Sequence, residues 1–261
     1  MTNDQGAGEE PMSDTMNIED YLAQGGVLTA PGNVPARYRG ELLRLMSSFV
    51  DSELAASAGF ANAINFAPGI KERIAASRIT LEKADHAERV LRVMGEFGTD
   101  VARYQTSHDW AARVERDADL GTARRPGDMR LSVFHYPVAG WTDAVVMNVL
   151  QGLATGVQMT ELTRVSYGPL AEVFREIAPR EARHAELGLE GLEQIAATEE
   201  GREEARAAVA YWRPRVAAGF GLTHSDRYDT LARFGLRHSP NEAMLARWEA
   251  LASEHLAALG L

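Results

Sequence analysis

An all-α chain built around a four-helix bundle is the fold this sequence predicts, and three observations predict it. Alternation of apolar and polar residues at strand period is nearly absent, while Ala, Leu, Glu and Arg, all good helix formers, dominate. Four long segments carry apolar residues at helical spacing and form two hairpins, the first turning at Pro68-Gly69. The chain of 261 residues, 45% hydrophobic and 25% charged, is long enough to enclose one large core.

The first long helix is expected from Ala36 to Phe60, with Met46, Phe49 and Val50 marking its inward stripe. Pro68-Gly69 breaks the chain, and a second helix runs from Ile70 to Phe97, ending at Gly98. A shorter helical stretch, Asp100 to Arg116, carries Tyr104 and Trp110; an irregular linker, Gly121 to Pro137, follows. The third long helix, Trp141 to Leu162, has no charged residue between Ala144 and Thr160, which places it in the middle of a bundle. Its Asn148, Gln151, Thr155 and Gln158 distinguish it from a membrane span. The fourth, Tyr167 to Ala197, has Pro169 in its first turn, where proline is tolerated. Further helices are expected over Glu199 to Ala218, Asp226 to Phe234, and after Ser239-Pro240-Asn241-Glu242, so the bundle carries additional C-terminal helices. Residues 1–30 are expected to form a flexible acidic arm and residues 31–261 a single helical domain.

The formal net charge of −10 argues against nucleic acid and against an anionic membrane as partners. With no cysteine, disulfides, thiolate metal sites and cysteine nucleophiles are excluded. No apolar run is long enough to span a bilayer, and the start of the chain lacks the basic-then-apolar order of a secretory leader; a cytoplasmic location is expected.

The informative residues are ionisable groups on stripes that should be apolar. On the fourth helix the inward line Leu170, Phe174, Ile177 continues into Glu181 and His184, a Glu-x-x-His pair on one face. The second helix has Ile79, Lys83, His86 and Val90 on its inward line, and the first has Glu53 beyond Met46 and Phe49. Glu53 and position 83 are separated by about the length of a helix hairpin, which returns them to the same level. Helix bundles that hold two irons use this pattern: a Glu-x-x-His from each of two helices and one Glu from each of the others. Inward histidines are also found as hydrogen-bonded core groups, so the stripe pattern alone leaves a metal site and a polar core both open.

Longer motifs carry a family resemblance from about Val34 to the C-terminus. Ser52-Glu53, the Ala67-Pro68 turn with the arm to His86, Tyr136-Pro137, Trp141-Thr142-Asp143, Ser166-Tyr167-Gly168-Pro169, Trp212-x-Pro214-Arg215 and Ser239-Pro240-Asn241-Glu242 all take part. The chain resembles the phenylacetyl-CoA ring epoxidase (phenylacetic acid catabolic) family of ferritin-like multicomponent oxygenases, catalytic α-subunit type. The resemblance implies a ferritin-like four-helix bundle in which Glu53, His86, Glu181 and His184 match iron ligands. Two positions depart from it: Lys83 stands where the family has the Glu of its first Glu-x-x-His, and the third helix offers Asn148, Gln151 and Gly152 where the family has a carboxylate. Asp143 and Glu161 lie too far towards the helix ends to replace it.

What the resemblance implies is therefore an oxygenase-type oxidoreductase acting with O2 on an aromatic or acyl thioester. Glu53, His86, Glu181 and His184 would hold iron or manganese, one ion rather than two, and Lys83, Glu82 and Gln151 would be the altered active-site residues. Glu82 lies one turn from His86 and is placed to replace the lost ligand. The alternative is a metal-free, catalytically silent partner subunit with Lys83 salt-bridged in the old di-iron site, as in the family's companion subunit. Some ribonucleotide reductase small subunits on this scaffold likewise carry a lysine and work without metal. Implied partners are a second copy or a related helical subunit, a reductase, and a small-molecule or CoA-thioester substrate. Tyr104, Tyr136 and Tyr167 are weaker redox candidates, and Arg37, Arg39, Lys71 and Arg73 weaker phosphate contacts.

Overall fold

The computed structural model describes residues 18–124, 127–225 and 227–261. Its helices are α1 (Ile18–Ala23), α2 (Ala36–Ala63), α3 (Ile70–Glu96), α4 (Val101–Tyr104), α5 (Trp141–Leu162), α6 (Gly168–Ala196), α7 (Glu199–Ala217), α8 (Tyr228–Arg233) and α9 (Asn241–Ala258). Among the described residues there is no strand, only an isolated bridge between Leu28 and Tyr167. None of these helices is long and apolar enough to cross a membrane.

Two long hairpins, α2–α3 and α5–α6, make the four-helix bundle, closed by packing of α3 on α6 and of α2 on α5. The C-terminal helices α7 and α9 lie against α5 from outside the bundle. Trp212 of α7 and Trp248 of α9 are fully buried there, and the Trp248 indole donates to the Leu150 carbonyl at 2.9 Å. With α2, α6, α7 and α9 around it, α5 is enclosed along its middle, where only Gly156 is exposed, which accounts for the missing charges.

The acids at the two ends of α5 have structural partners. Asp143, in the first turn, accepts from Arg116 at 2.6 and 2.9 Å, from the Trp212 indole at 2.8 Å and from the Ala139 amide at 2.8 Å. Glu161, in the last turn, accepts from the amides of His238 and Ser239 at 2.5 and 2.9 Å and from the Ser239 hydroxyl at 2.8 Å. Those bonds tie the approach to α9 onto α5 and hold the Glu161 carboxyl below its ordinary range against the opposing effect of burial.

One expected helix is shortened, and two further expectations fall partly outside the described residues. The stretch expected to be helical from Asp100 to Arg116 is helical only over Val101–Tyr104. Side chains there bond to nearby backbone instead: Thr106 to the Ala102 and Arg103 carbonyls, Asp109 to the Ala111 amide, Trp110 to the Gln105 carbonyl. The helix expected from Asp226 is α8, Tyr228–Arg233; Asp226 itself lies outside the described residues. Of the expected acidic arm, residues 1–17 lie outside the described residues. Residues 18–30 are tied to the bundle: Leu22 and Leu28 are buried, and the Leu28 amide and carbonyl bond to Ser166 and Gly168, each at 2.8 Å.

Close approach of α5 and α6 depends on two glycines. A Cβ on Gly188 would stand 2.7 Å from Asn148 Nδ2 and 3.1 Å from Val149 Cγ2; one on Gly152 would stand 3.0 Å from the Ala185 Cβ. This contact lets Asn148 donate to the His184 carbonyl at 2.9 Å. Gly188→Val is therefore expected to lose about 1–3 kcal/mol through overpacking, read as a lower urea midpoint at unchanged slope. An unchanged midpoint would show that the two helices do not need the close approach.

Candidate functional site

Four residues from three helices meet in the middle of the bundle. α2 contributes Glu53, α3 contributes Lys83 and His86 three residues apart on one face, and α6 contributes Glu181; all four are buried. The Lys83 ammonium donates to Glu53 Oε1 at 3.0 Å and to Glu181 Oε2 at 2.6 Å. His86 Nδ1 faces the other two oxygens, Glu53 Oε2 at 3.2 Å and Glu181 Oε1 at 2.7 Å. All four carboxylate oxygens are thus engaged in a closed ring of two anions and two nitrogen donors, with the His86 proton on Nδ1.

The ring sets the ionisation of its members. Burial pushes the Lys83 ammonium towards neutrality, but the negative charges of Glu181 and Glu53 and their hydrogen bonds outweigh it, so its pKa lies above the ordinary lysine value. Burial would raise the Glu181 carboxyl; Lys83 and the two histidines overcome this and hold it well below the usual carboxylate range. Burial lowers His86, and the hydrogen bonds to Glu181 and Glu53 more than reverse it, leaving the imidazole easier to protonate than usual. The Lys83 ammonium supplies positive charge to both carboxylates, and the far nitrogen of His86, Nε2, is buried with no hydrogen-bond partner.

The remaining expected site residues lie around this ring. His184 is buried and stacks on His86, ring centroids 5.8 Å apart. Its Nε2 pairs with Glu82 Oε2 at 2.6 Å, while Nδ1 has no hydrogen-bond partner and stands 3.7 Å from Glu181 Oε1. Glu82 is thus turned to His184, outside the ring. Gln151 is buried, lines the same small cavity as Lys83, Glu181 and His184, and bonds only weakly to Thr155, at 3.4 Å. Of the four expected metal ligands, Glu53, His86 and Glu181 offer ligand atoms within 4.8 Å of one another and form a group able to hold a metal ion; His184 stands outside that group.

A feature the sequence did not mark opens beside the ring. A cleft of about 410 Å³ has Glu53, Gln151 and Thr155 among its lining residues, together with Phe49 and Met159, and it is bordered by Arg44, Arg124, Arg227 and Arg237. Arg44, Ser48 and Ser52 repeat at i, i+4 and i+8 on α2, a polar line that sequence reading had the means to find; the other arginines sit in connecting segments with no periodic signal. Arg37, Arg39, Lys71 and Arg73, the phosphate contacts suggested by sequence, do not line this cleft. The hydroxyl of Tyr104 donates to Asp51 at 2.8 Å, that of Tyr136 accepts from the Leu120 amide at 2.9 Å, and that of Tyr167 lies 3.5 Å from Glu96, so each is engaged away from the ring.

A bundle of two helix hairpins with carboxylates and histidines facing one another at mid-height is the ferritin-like architecture. The family model described as "Phenylacetic acid catabolic protein" matches residues 16–261, and the chain belongs to that family. It is also similar to one subunit of the 1,2-phenylacetyl-CoA epoxidase of Escherichia coli (strain K12), 25% identical over 194 residues. That match covers 74% of this chain and 58% of the relative, so the chain spans less than two thirds of the length of the curated protein it matches.

The donor set does not suit two irons. Such a pair uses about four carboxylates, and here two face inward, α5 adds only amides, and its two end acids are bonded elsewhere. Two stability consequences follow from the ring. Lys83→Ala leaves two buried carboxylates short of a cation and is expected to cost about 3 kcal/mol or more in urea unfolding; a change of a few tenths would mean that Lys83 carries no buried charge pair. Because the folded His86 pKa is raised, its contribution is complete below the unfolded value of about 6.5 and is lost as pH rises through the higher folded value. Unfolding free energy should therefore fall with rising pH across that window, and His86→Gln should flatten the fall.

Proposed function

We propose that this chain is a metal-free subunit of a multi-component enzyme of phenylacetate catabolism, with an ammonium in place of the metal. The observation that carries this reading is the Lys83 Nζ lying within hydrogen-bond reach of both Glu53 and Glu181. Exchange of a carboxylate for an ammonium changes the local charge by two units, and in a low-dielectric interior this opposes a divalent cation on the same oxygens. The likeness to an epoxidase subunit supports a place in an assembly with a related helical subunit.

The cleft suggests what the subunit would handle. About 410 Å³ is within the usual size of a small-molecule site, and its apolar middle beside four arginines suits an aromatic acyl thioester with an anionic carrier. In this reading the acyl group points towards Gln151 and the phosphates towards Arg44, Arg124 and Arg237, Arg227 being already paired with Glu41. Burial already lowers the Arg237 pKa, so an anion alongside it would be favourable.

A second reading, an oxygenase with one metal ion, is favoured by a different observation. Glu53, His86 and Glu181 converge, and the buried His184 Nδ1 is left without a partner. Those residues would hold a single iron or manganese ion, which when bound would supply oxygen activation.

One experiment separates the two. On the metal-free reading the parent takes up no stoichiometric iron or manganese, and ferrous iron leaves its melting temperature unchanged. The double variant Lys83→Glu/Gln151→Glu returns acids to α3 and α5 and should bind iron, being less stable than the parent without metal and more stable with it. Stoichiometric metal in the parent would overturn the metal-free reading in favour of the single-ion one.

A further inference from the structure

The outer face of α3 carries an apolar stripe that no described residue covers. Ile70, Ile74 and Leu81 are 70%, 54% and 71% exposed, and Phe66, in the turn before the helix, is 44% exposed. At 100° per residue the three α3 side chains fall within about 40° of one another over roughly 16 Å of helix. They point away from Ile79, Lys83 and His86, which face the core. Exposed Ser77 lies on the same line between Ile74 and Leu81, and the apolar side chains around it present on the order of 400 Å² of surface, the scale at which an apolar patch on a monomer marks an interaction site.

Asp85 and Glu88 lie along the stripe but are paired with arginines, and the charges left unpaired beside it are of one sign. Lys71 and Arg78 flank it on one side and Arg73 on the other, and none of the three is in an ion pair among the described residues. In a chain of net charge −10, an exposed apolar line bordered by three free cations is out of character with the rest of the surface. Farther along the helix, Asp85 is neutralised by Arg89 and Arg180 and Glu88 by Arg92, each at 2.7 Å. A two-fold contact between copies through this face would bring the cations of one copy against those of the other, which disfavours a second copy.

We propose that this face of α3 is the docking surface for a helix of another protein chain, apolar along one stripe and lined with Asp or Glu on both sides of it. The proposal rests on the reading of the chain as a subunit and names the surface it would use. Apolar burial supplies the affinity and the acidic flanks set partner choice.

The test uses the full chain and two synthetic helical peptides. Each has Leu at i, i+3, i+4 and i+7, flanked in one by Glu and in the other by Lys, and binding is read by fluorescence anisotropy. The acidic peptide should bind and the basic one should not. Ile74→Asp and Leu81→Asp should each weaken binding by about tenfold or more, as expected of central contacts. Arg73→Glu with Arg78→Glu should invert the preference between the peptides. These positions are exposed, so unchanged melting curves should accompany every loss. Absence of binding by either peptide, or equal binding of both, would overturn the proposal. So would a concentration-dependent dimer abolished by Ile74→Asp, which would assign the face to a second copy. Binding to phosphatidylserine vesicles in preference to the acidic peptide would assign it to a membrane and equally overturn it. The iron content of the same preparation reports on the metal-free reading independently: acidic-peptide binding by a metal-loaded chain would retain the docking surface and reject that reading.

Discussion

The Lys83 ammonium, shared between Glu53 and Glu181, is the interaction on which the middle of this bundle depends. Two carboxylates buried at mid-height would repel one another and lose their hydration without a cation between them. Lys83 occupies one pair of oxygens and His86 the other, so each acid is satisfied at both atoms. The neighbours conform to that balance. α5 brings only neutral side chains to this level, and its two acids are bonded at the helix ends to Arg116 and Trp212 and to the approach to α9. Apolar clusters flank the charged level, one built on Met46, Phe174 and Ile177, the other on Leu150, Trp212 and Trp248.

Much of this was legible in the residues. The apolar period placed the four long helices, and the uncharged run of α5 was a direct sign of a helix enclosed on all sides. Hairpin-related spacing brought Glu53 and Lys83 to one level from sequence alone, because helix geometry converts sequence separation into height, and the inward Glu-x-x-His pair marked Glu181. Other features were not legible because they depend on tertiary neighbours. Thr106, Asp109 and Trp110 divert the chain after Tyr104 through side-chain to backbone bonds that helix propensity does not register. His184 carries the same Glu-x-x-His signature as a metal ligand, yet its Nε2 turns to Glu82, a pairing between α3 and α6 with no sequence period. The arginines of the cleft arrive from four separate parts of the chain.

The family and the site together give the functional reading its shape. Membership in the phenylacetic acid catabolic family places the chain beside an epoxidase subunit, while the ring at its centre has the charge of a finished ion-pair network. An arginine-bordered cleft reaches Glu53 and Gln151 beside that ring. The scaffold is that of the family, and at its centre Lys83 stands between two acids while α5 brings only amides to that level. The outer face of α3, on the opposite side of the same helix, is where such a subunit would meet its partner.

The identity of the cation between Glu53 and Glu181 decides the chemistry of this centre. An anomalous difference map at the iron and manganese edges, from crystals of protein made in metal-supplemented cells, tests it most directly. With Lys83 as that cation, no anomalous peak is expected among Glu53, His86 and Glu181, and density for Lys83 Nζ lies between the two carboxylates. A peak on those three residues, with the Lys83 side chain displaced from them, would contradict it.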